Sequence, residues 1–382
     1  MSDYKLDILL SAVDKASSVI DFVKNKLGAL GKAAQQADKM IQIGKNMQQS
    51  GSMTLAAANK MQSGLTSVLS PAAAFQKGMG EISTLIPGQA KQIEQLKGGL
   101  LKLAAVYPEN EMNNFTDGLY NTISAGVPAA QSLRFMESSA KLAAAGVTDI
   151  NTVVDGSTAV MKAYGIEWEK ADKINTLFFK TMKLGKTTVP EVSHAIKGVA
   201  ATANAAGVDI KDSFAVFSTL SGVTGSTNEV GTQFKAMLSN IIIPSKKAQD
   251  LAKELGLEFN VTALKTKGLG GFMADLADKT GGNIETLGKL FGSTEALNAV
   301  SALTGNQLGV LKTNMAEMRK NTDPVSAGFA TMSQTMEHSL ASMSKAAEIL
   351  KIIIGDQLAP VIDFAAKIIG TVATKLQMMA QN

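Results

Sequence analysis

The stretch Ala125-Gly-Val-Pro128, running on to Ala145-Gly-Val-Thr-Asp-Ile150, is answered by Thr187-Thr-Val-Pro190, running on to Ala206-Gly-Val-Asp-Ile210. The matching points lie 62 residues apart at Pro128/Pro190, 61 at Gly146/Gly207 and 60 at Ile150/Ile210. A Pro in the first helical turn forfeits no hydrogen bond, because that N–H has no partner within the helix, and a Gly closes a helix by taking the left-handed conformation. Each pass therefore reads as a helix entered at its Pro and closed at its Gly. Repetition of the pass gives an all-α chain whose core is a series of helical hairpins.

Composition agrees with that class. The 382 residues are 45% apolar but only 5% aromatic. Small and flexible apolar side chains pack helix on helix, whereas a sandwich or barrel draws more on aromatic and β-branched residues. The absence of Cys excludes disulfides, thiolate metal sites and Cys nucleophiles. A net charge of +4, with no block of like charges, gives no footprint for sequence-specific nucleic-acid binding. The longest charge-free windows, such as Ser213 to Asn228, are rich in Gly, Ser and Thr and fall short of the roughly 20 apolar residues of a membrane span. The opening Met1-Ser-Asp-Tyr-Lys-Leu-Asp7 lacks the basic-then-apolar order of a signal peptide, so the chain reads as soluble when made.

Three zones follow. Residues 1–64 form an N-terminal coiled-coil segment by their spacing. Leu6, Val13, Ile20, Leu27, Ala34 and Ile41 recur every seven residues, and Leu9, Ala16, Val23, Leu30 and Ala37 each follow three later. The oligomerisation seam expected from this pattern is Leu6, Leu9, Val13, Ile20, Val23, Leu27 and Leu30. An amphipathic helix packed on its own domain is the other reading of the same spacing. Val13 and Ile20 at one seam position with Leu9 and Leu30 at the other lean toward two strands.

Residues 65–325 form the helical core. Thr188-Val-Pro-Glu191 and Ser226-Thr-Asn-Glu229 fit the capping box, in which two side chains satisfy exposed N–H groups reciprocally. Ser245 to Leu255 reads as a helix opened after Pro244 and stopped at Gly256, and Gly268-Leu-Gly-Gly271 as a loop. Leu257 to Val261 is the only stretch with a strand-like pattern. Residues 326–382 are a Met-rich C-terminal apolar amphipathic helix, with a heptad stripe through Met336, Leu340, Met343, Ala347, Leu350, Ile354, Val361, Phe364 and Ile368. Pro360 is expected to kink or break it. A bundle helix and a membrane-contacting segment are both compatible with this zone.

The search for chemistry yields no catalytic, cofactor-binding or metal-binding residues. His194 and His338 are the only histidines, and Glu337-His338 lacks the second His of a metalloprotease helix. Gly185-Lys-Thr187 is not a phosphate loop, because Lys180 stands where its first Gly belongs. Gly268-x-Gly270 is followed by Met273 where a dinucleotide fingerprint needs Gly, and no G-x-S-x-G elbow occurs. Glu167 and Glu169 beside Lys170 read as a solvated face. The chain is expected to be a non-enzyme without cofactors.

An ordered series of motifs then carries a resemblance. Ala74-Phe-Gln-Lys-Gly-Met-Gly-Glu-Ile-Ser-Thr-Leu85 and Gly118-Leu-Tyr-Asn-Thr-Ile-Ser-Ala-Gly-Val-Pro128 come first. Lys141-Leu-Ala-Ala-Ala-Gly146, Ala159-Val-Met-Lys-Ala-Tyr-Gly165 and Leu184-Gly-Lys-Thr-Thr-Val189 follow. Pro244-Ser-Lys-Lys-Ala248, Glu254-Leu-Gly256, Leu290-Phe-Gly292 and Leu303-Thr-Gly305 complete it. Over residues 66 to 310 this series resembles the core of phage tail tape measure proteins.

The resemblance implies a rod-forming virion protein, made in the bacterial cytoplasm and housed in the tail lumen, whose length sets the length of the tail tube. It further implies exit from the tube during DNA ejection. The implied partners are the tail tube protein, tail assembly chaperones, baseplate or tail-tip proteins, further copies of the chain through the coiled coil, and the host membrane. Three- or six-fold assembly suits a tube axis. Tape measures commonly continue past this core, so either a short tail or a truncated chain is expected. A membrane-active helical protein and a generic helical scaffold are the competing readings.

Overall fold

A computed structural model describes residues 69–380, with side chains described to residue 359. Among the described residues every regular element is helical. The expected seam residues Leu6, Leu9, Val13, Ile20, Val23, Leu27 and Leu30 lie outside the described residues. The chain divides into two units, Ile82–Ser339 and a second made of Met1–Glu81 with Leu340–Asn382.

The larger unit takes in the end of α1 (69–85) and continues through α2 (Ala90–Val106), α3 (Met112–Ser124), α4 (Ala129–Ala145) and α5 (Ile150–Tyr164). After a 3-10 turn at Trp168–Lys170 come α6 (Ala171–Leu184), α7 (Val189–Lys197), α8 (Ala200–Ala205), α9 (Ile210–Thr224) and α10 (Thr227–Ile242). The return arm is α11 (Lys246–Glu254), α12 (Val261–Thr280), α13 (Ile284–Phe291), α14 (Thr294–Thr304), α15 (Leu308–Arg319) and α16 (Pro324–Met332), before α17 (Met336–Ala380) begins. The arms pair in nested order: α11 packs on α13, α10 on α14, α9 on α15, and α4 on α16.

The buried centre is α9. Phe214, Ala215, Val216 and Phe217 are four consecutive residues with no exposed surface, so this helix is covered all round. Phe214 meets Phe178 edge to face at 4.9 Å between ring centroids, and Phe217 meets Phe234 at 6.4 Å. The buried hydroxyls of the same helix are satisfied at once by its own backbone and by its neighbours. Ser218 and Thr219 donate back to the Ala215 carbonyl at 2.9 and 2.7 Å, and Asn314 Nδ2 on α15 donates to both hydroxyl oxygens at 3.1 and 3.0 Å. The Ser-and-Thr-rich window Ser213 to Asn228 is thus largely the core helix and its exit.

The two passes of the sequence differ in how they are built. In the second, Gly207 takes the left-handed position with φ 75° and Val208 N–H reaches back to the Ala203 carbonyl at 2.9 Å. Asp209 follows immediately as the N-cap of α9. In the first, the same closing bond runs from Thr148 N–H to the Ala143 carbonyl at 2.9 Å, so the left-handed residue is Val147, φ 52°, and not Gly146. Thr148 thus answers Val208, the extra residue of the first pass falls before the closing residue, and from there onward the structural offset is a uniform 60, Asp149 capping α5 as Asp209 caps α9.

Gly146 has a different role. A Cβ there would lie 2.7 Å from Val189 Cγ2, so its lack of a side chain admits α7. A β-branched residue at positive φ is strained by about 1–3 kcal/mol. Val147 is 77% exposed and contributes little packing in return. Val147→Gly is expected to raise stability by about 1 kcal/mol in urea denaturation, the flexibility gained by the unfolded chain offsetting part of the relief.

Other expectations at element ends are met or corrected. Thr188 and Glu191 form the full capping box, with Glu191 N–H donating to Thr188 Oγ1 at 3.3 Å and Thr188 N–H to Glu191 Oε2 at 3.2 Å. Ser226 caps α10, but Glu229 turns away to accept from Gln233 at 2.8 Å, so the reciprocal bond is missing. Pro190 sits in the first turn of α7, whereas Pro128 is extended at ψ 138° and stands at the N-cap of α4. The second pass is also split, because Gly198 and Val199 separate α7 from α8. Gly256 closes α11 with φ 62°, as expected. Gly268 to Gly271 does not open into a loop. Only Gly268 leaves helical geometry, as a kink within α12. The 257–261 stretch forms no strand, Leu257 and Phe259 being buried as joint residues between helices.

In the smaller unit α17 runs through Pro360 without a break in helical assignment. As far as residue 359 its expected heptad stripe is not the buried face: Leu340 and Met343 are 61% and 73% exposed, while Ile349, Ile352 and Leu358 are buried; the side chains of Val361, Phe364 and Ile368 lie outside the described residues. Gln76 on α1 donates to Asp356 at 3.0 Å, on the side of α17 that carries Ile349 and Ile352. Apolar residues occupy more than one face of this helix, so spacing alone did not select the packed one.

Candidate functional site

Among the described residues no group of three or more His, Asp or Glu side chains is arranged to hold a metal. No described helix is long and apolar enough to cross a membrane. His194 is exposed on α7. His338 is buried at the start of α17, its Nδ1 paired with Glu109 and its ring edge-on to Phe329. Glu167 pairs with Lys170 at 2.9 Å on an exposed face, and its carboxyl is held below the usual range by that hydrogen bond and charge.

A cleft of about 750 Å³ lies in the larger unit where α4, α6 and the start of α9 face the end of α15 and the following loop to Asp323. It is built around Lys180. The side chain is 6% exposed, and Nζ donates to the Glu317 carbonyl at 2.9 Å and the Lys320 carbonyl at 2.6 Å. These carbonyls lie at the C-terminal end of α15, where each accepts one backbone N–H of the closing turn, Lys320 to Glu317 at 3.2 Å and Thr322 to Lys320 at 3.0 Å, and carries the negative end of the dipole. A buried ammonium there gives each a second, charged donor. Desolvation nevertheless holds Lys180 below the ordinary lysine range.

The neighbouring residues fix the walls. Asn175 on α6 accepts from Ser157 at 2.6 Å and donates to Ser138 at 2.8 Å, tying α4, α5 and α6 together behind the cleft. Arg319 Nη2 lies 2.5 Å from buried Asp212 on α9, whose carboxyl burial pushes up and Arg319 pulls back down. Asp323 caps α16 through the Ser326 N–H at 3.0 Å and is held low by its bonds to Ser326. Sequence reasoning passed over Lys180, naming it only as the residue that spoils a phosphate loop. Its partners are main-chain oxygens far along the chain, which leave no mark in residue types.

Tyr164 closes α5 beside this region, its hydroxyl 2.9 Å from Ser213 Oγ. Burial pushes the phenol up to about 12 from an ordinary 10.0. A group whose folded value is raised supports the fold fully below its unfolded value and loses that support as pH rises through the folded one. Stability is therefore expected to fall between pH about 10 and about 12, and Tyr164→Phe to flatten that part of the pH–stability curve. Denaturant midpoints measured across the alkaline range check this.

The sequence profile described as phage-related minor tail protein matches residues 100–292, which is half of the chain. The chain belongs to this family. Within it, the match runs from the second half of α2 to the end of α13, so it includes three walls of the cleft and stops short of α15. Two relatives extend the likeness. A probable tape measure protein of Clostridium phage phiCD119 is 25% identical over 317 residues, 79% of this chain and 33% of the relative. A tape measure protein of Pneumococcus phage Dp-1 is 25% identical over 324 residues, 79% of this chain and 26% of the relative. The chain thus aligns with about a quarter to a third of these minor tail relatives' length. No solved structure matches it.

Proposed function

We propose that the chain acts as a ruler for the tail tube of a phage or phage-like particle. In this reading it lies in the tail lumen while tube subunits assemble around it, and leaves during DNA ejection. Its partners are the tail tube protein, the tail assembly chaperones, the baseplate or tail-tip proteins and further copies of itself through the 1–64 seam. It performs no catalysis. The observation that carries the reading is the tape measure likeness along 79% of the chain, to two proteins of different phages.

A ruler is extended, whereas residues 82–339 fold into a nested bundle. The core is therefore stretched or remodelled on the way into the tail. As one continuous helix, residues 82–339 would span about 390 Å. The test is tail length by electron microscopy in the phage that encodes the chain, after in-frame deletion, and separately duplication, of about 42 core residues. A helical ruler gives tails about 63 Å shorter and longer respectively. Tails of unchanged length in both strains would end the ruler reading, and a core still compact inside mature tails would end the remodelling one.

A further inference from the structure

We propose that the Lys180 cleft is a docking site for an acidic, apolar segment of another protein. Lys141, Lys173, Lys180 and Lys211 line it, with Asp172 and Asp323 as the lining carboxylates. Asp323 caps α16, keeps its charge and faces Lys141, and Lys170, Lys320 and Arg319 are matched by Glu167, Glu317 and Asp212, so the four lysines outnumber the two lining carboxylates by two. Lys173 and Lys211 are exposed at the rim on α6 and at the first turn of α9. Between the charges Ile174, Leu177, Met318 and Val325 contribute apolar surface, alongside polar Ser138, Asn175 and Thr176. Lys180 has three donors, of which two go to carbonyls, so one N–H is left for a ligand at the base.

Cations beside apolar surface select a ligand that offers both carboxylates and apolar side chains. The same lining disfavours nucleic acid. It contains no aromatic ring on which a base would stack, and its one guanidinium is taken by Asp212. A small polyphosphate would leave the apolar surface uncovered. The site is independent of the ruler reading, since the experiment measures binding to the folded chain and not tail length.

The test is fluorescence anisotropy with the full chain and a labelled peptide of alternating leucine and glutamate, against a leucine–lysine peptide and a single-stranded DNA oligonucleotide. The acidic peptide should bind, more weakly as salt rises. The double variant Lys173→Glu/Lys211→Glu, at two exposed positions, should weaken it at least about tenfold, or about 1.4 kcal/mol. Lys247→Glu/Lys253→Glu, the same change of charge on exposed α11, should leave it unaltered. Equal losses in the two variants, tighter binding of the oligonucleotide, or no binding of the acidic peptide would each overturn the proposal.

Discussion

Phe217→Ala is expected to lower the unfolding free energy by about 3–5 kcal/mol, which removes a large part of the stability of a typical domain. The ring has no exposed surface and meets Phe234 edge to face, 89° between planes. Its removal forfeits the transfer energy of the ring and leaves a void, and the surroundings have little room to close it. Phe217 lies on a helix covered on all sides, between α10 and α15. The double variant with Phe234→Ala should be less damaging than the sum of the two singles by about 0.5–1.5 kcal/mol, the worth of the edge-to-face contact itself. Urea midpoints of the four proteins, with unchanged m-values, check both numbers.

Lys180→Met is expected to cost about 2–4 kcal/mol. A methionine fills the same channel, but the Glu317 and Lys320 carbonyls keep only their backbone donors, Lys320 N–H and Thr322 N–H, and lose two hydrogen bonds from a charged group, each worth about 1.5–3 kcal/mol. The loss falls where residues 137 and 140 positions apart are joined, so it should loosen the end of α15 before the rest. Amide exchange of residues 315–323 would rise above that of α9, and Lys180→Arg should recover part of the midpoint shift. A loss below 1 kcal/mol would mean that water replaces the ammonium without penalty.

The parts of this fold that sequence made legible are those governed by neighbours in the chain. Pro190, Gly207, Gly256 and the Thr188–Glu191 box each act within one helical turn, and their positions were readable from residue type alone. The position of the left-handed residue in the first pass was not. It turns on where the extra residue of the first pass is absorbed and on the closeness of Val189 to Gly146, a tertiary fact. The first half of the C-terminal stripe, as far as residue 359, failed for a related reason: α17 carries apolar residues on several faces, and which one is buried depends on what packs there. The cleft was illegible altogether, because Lys180 answers carbonyl oxygens and not a motif.

The nested return of the helices also sets how the larger unit responds to being pulled. Tension applied at residues 82 and 339 does not load every interface together. It acts first on the outermost joins, His338 with Glu109 and Phe329 with Tyr107, then on α4 with α16, next on α6 and α9 with α15, and only then on α10 with α14. Such an arrangement unzips one interface at a time, at forces set by single pairs, and lengthens in steps of one helix and its joint. Lys180 bridges the interface of α6 with α15 and so works as a clasp. Behind it lies most of the chain length that tension on the unit can release.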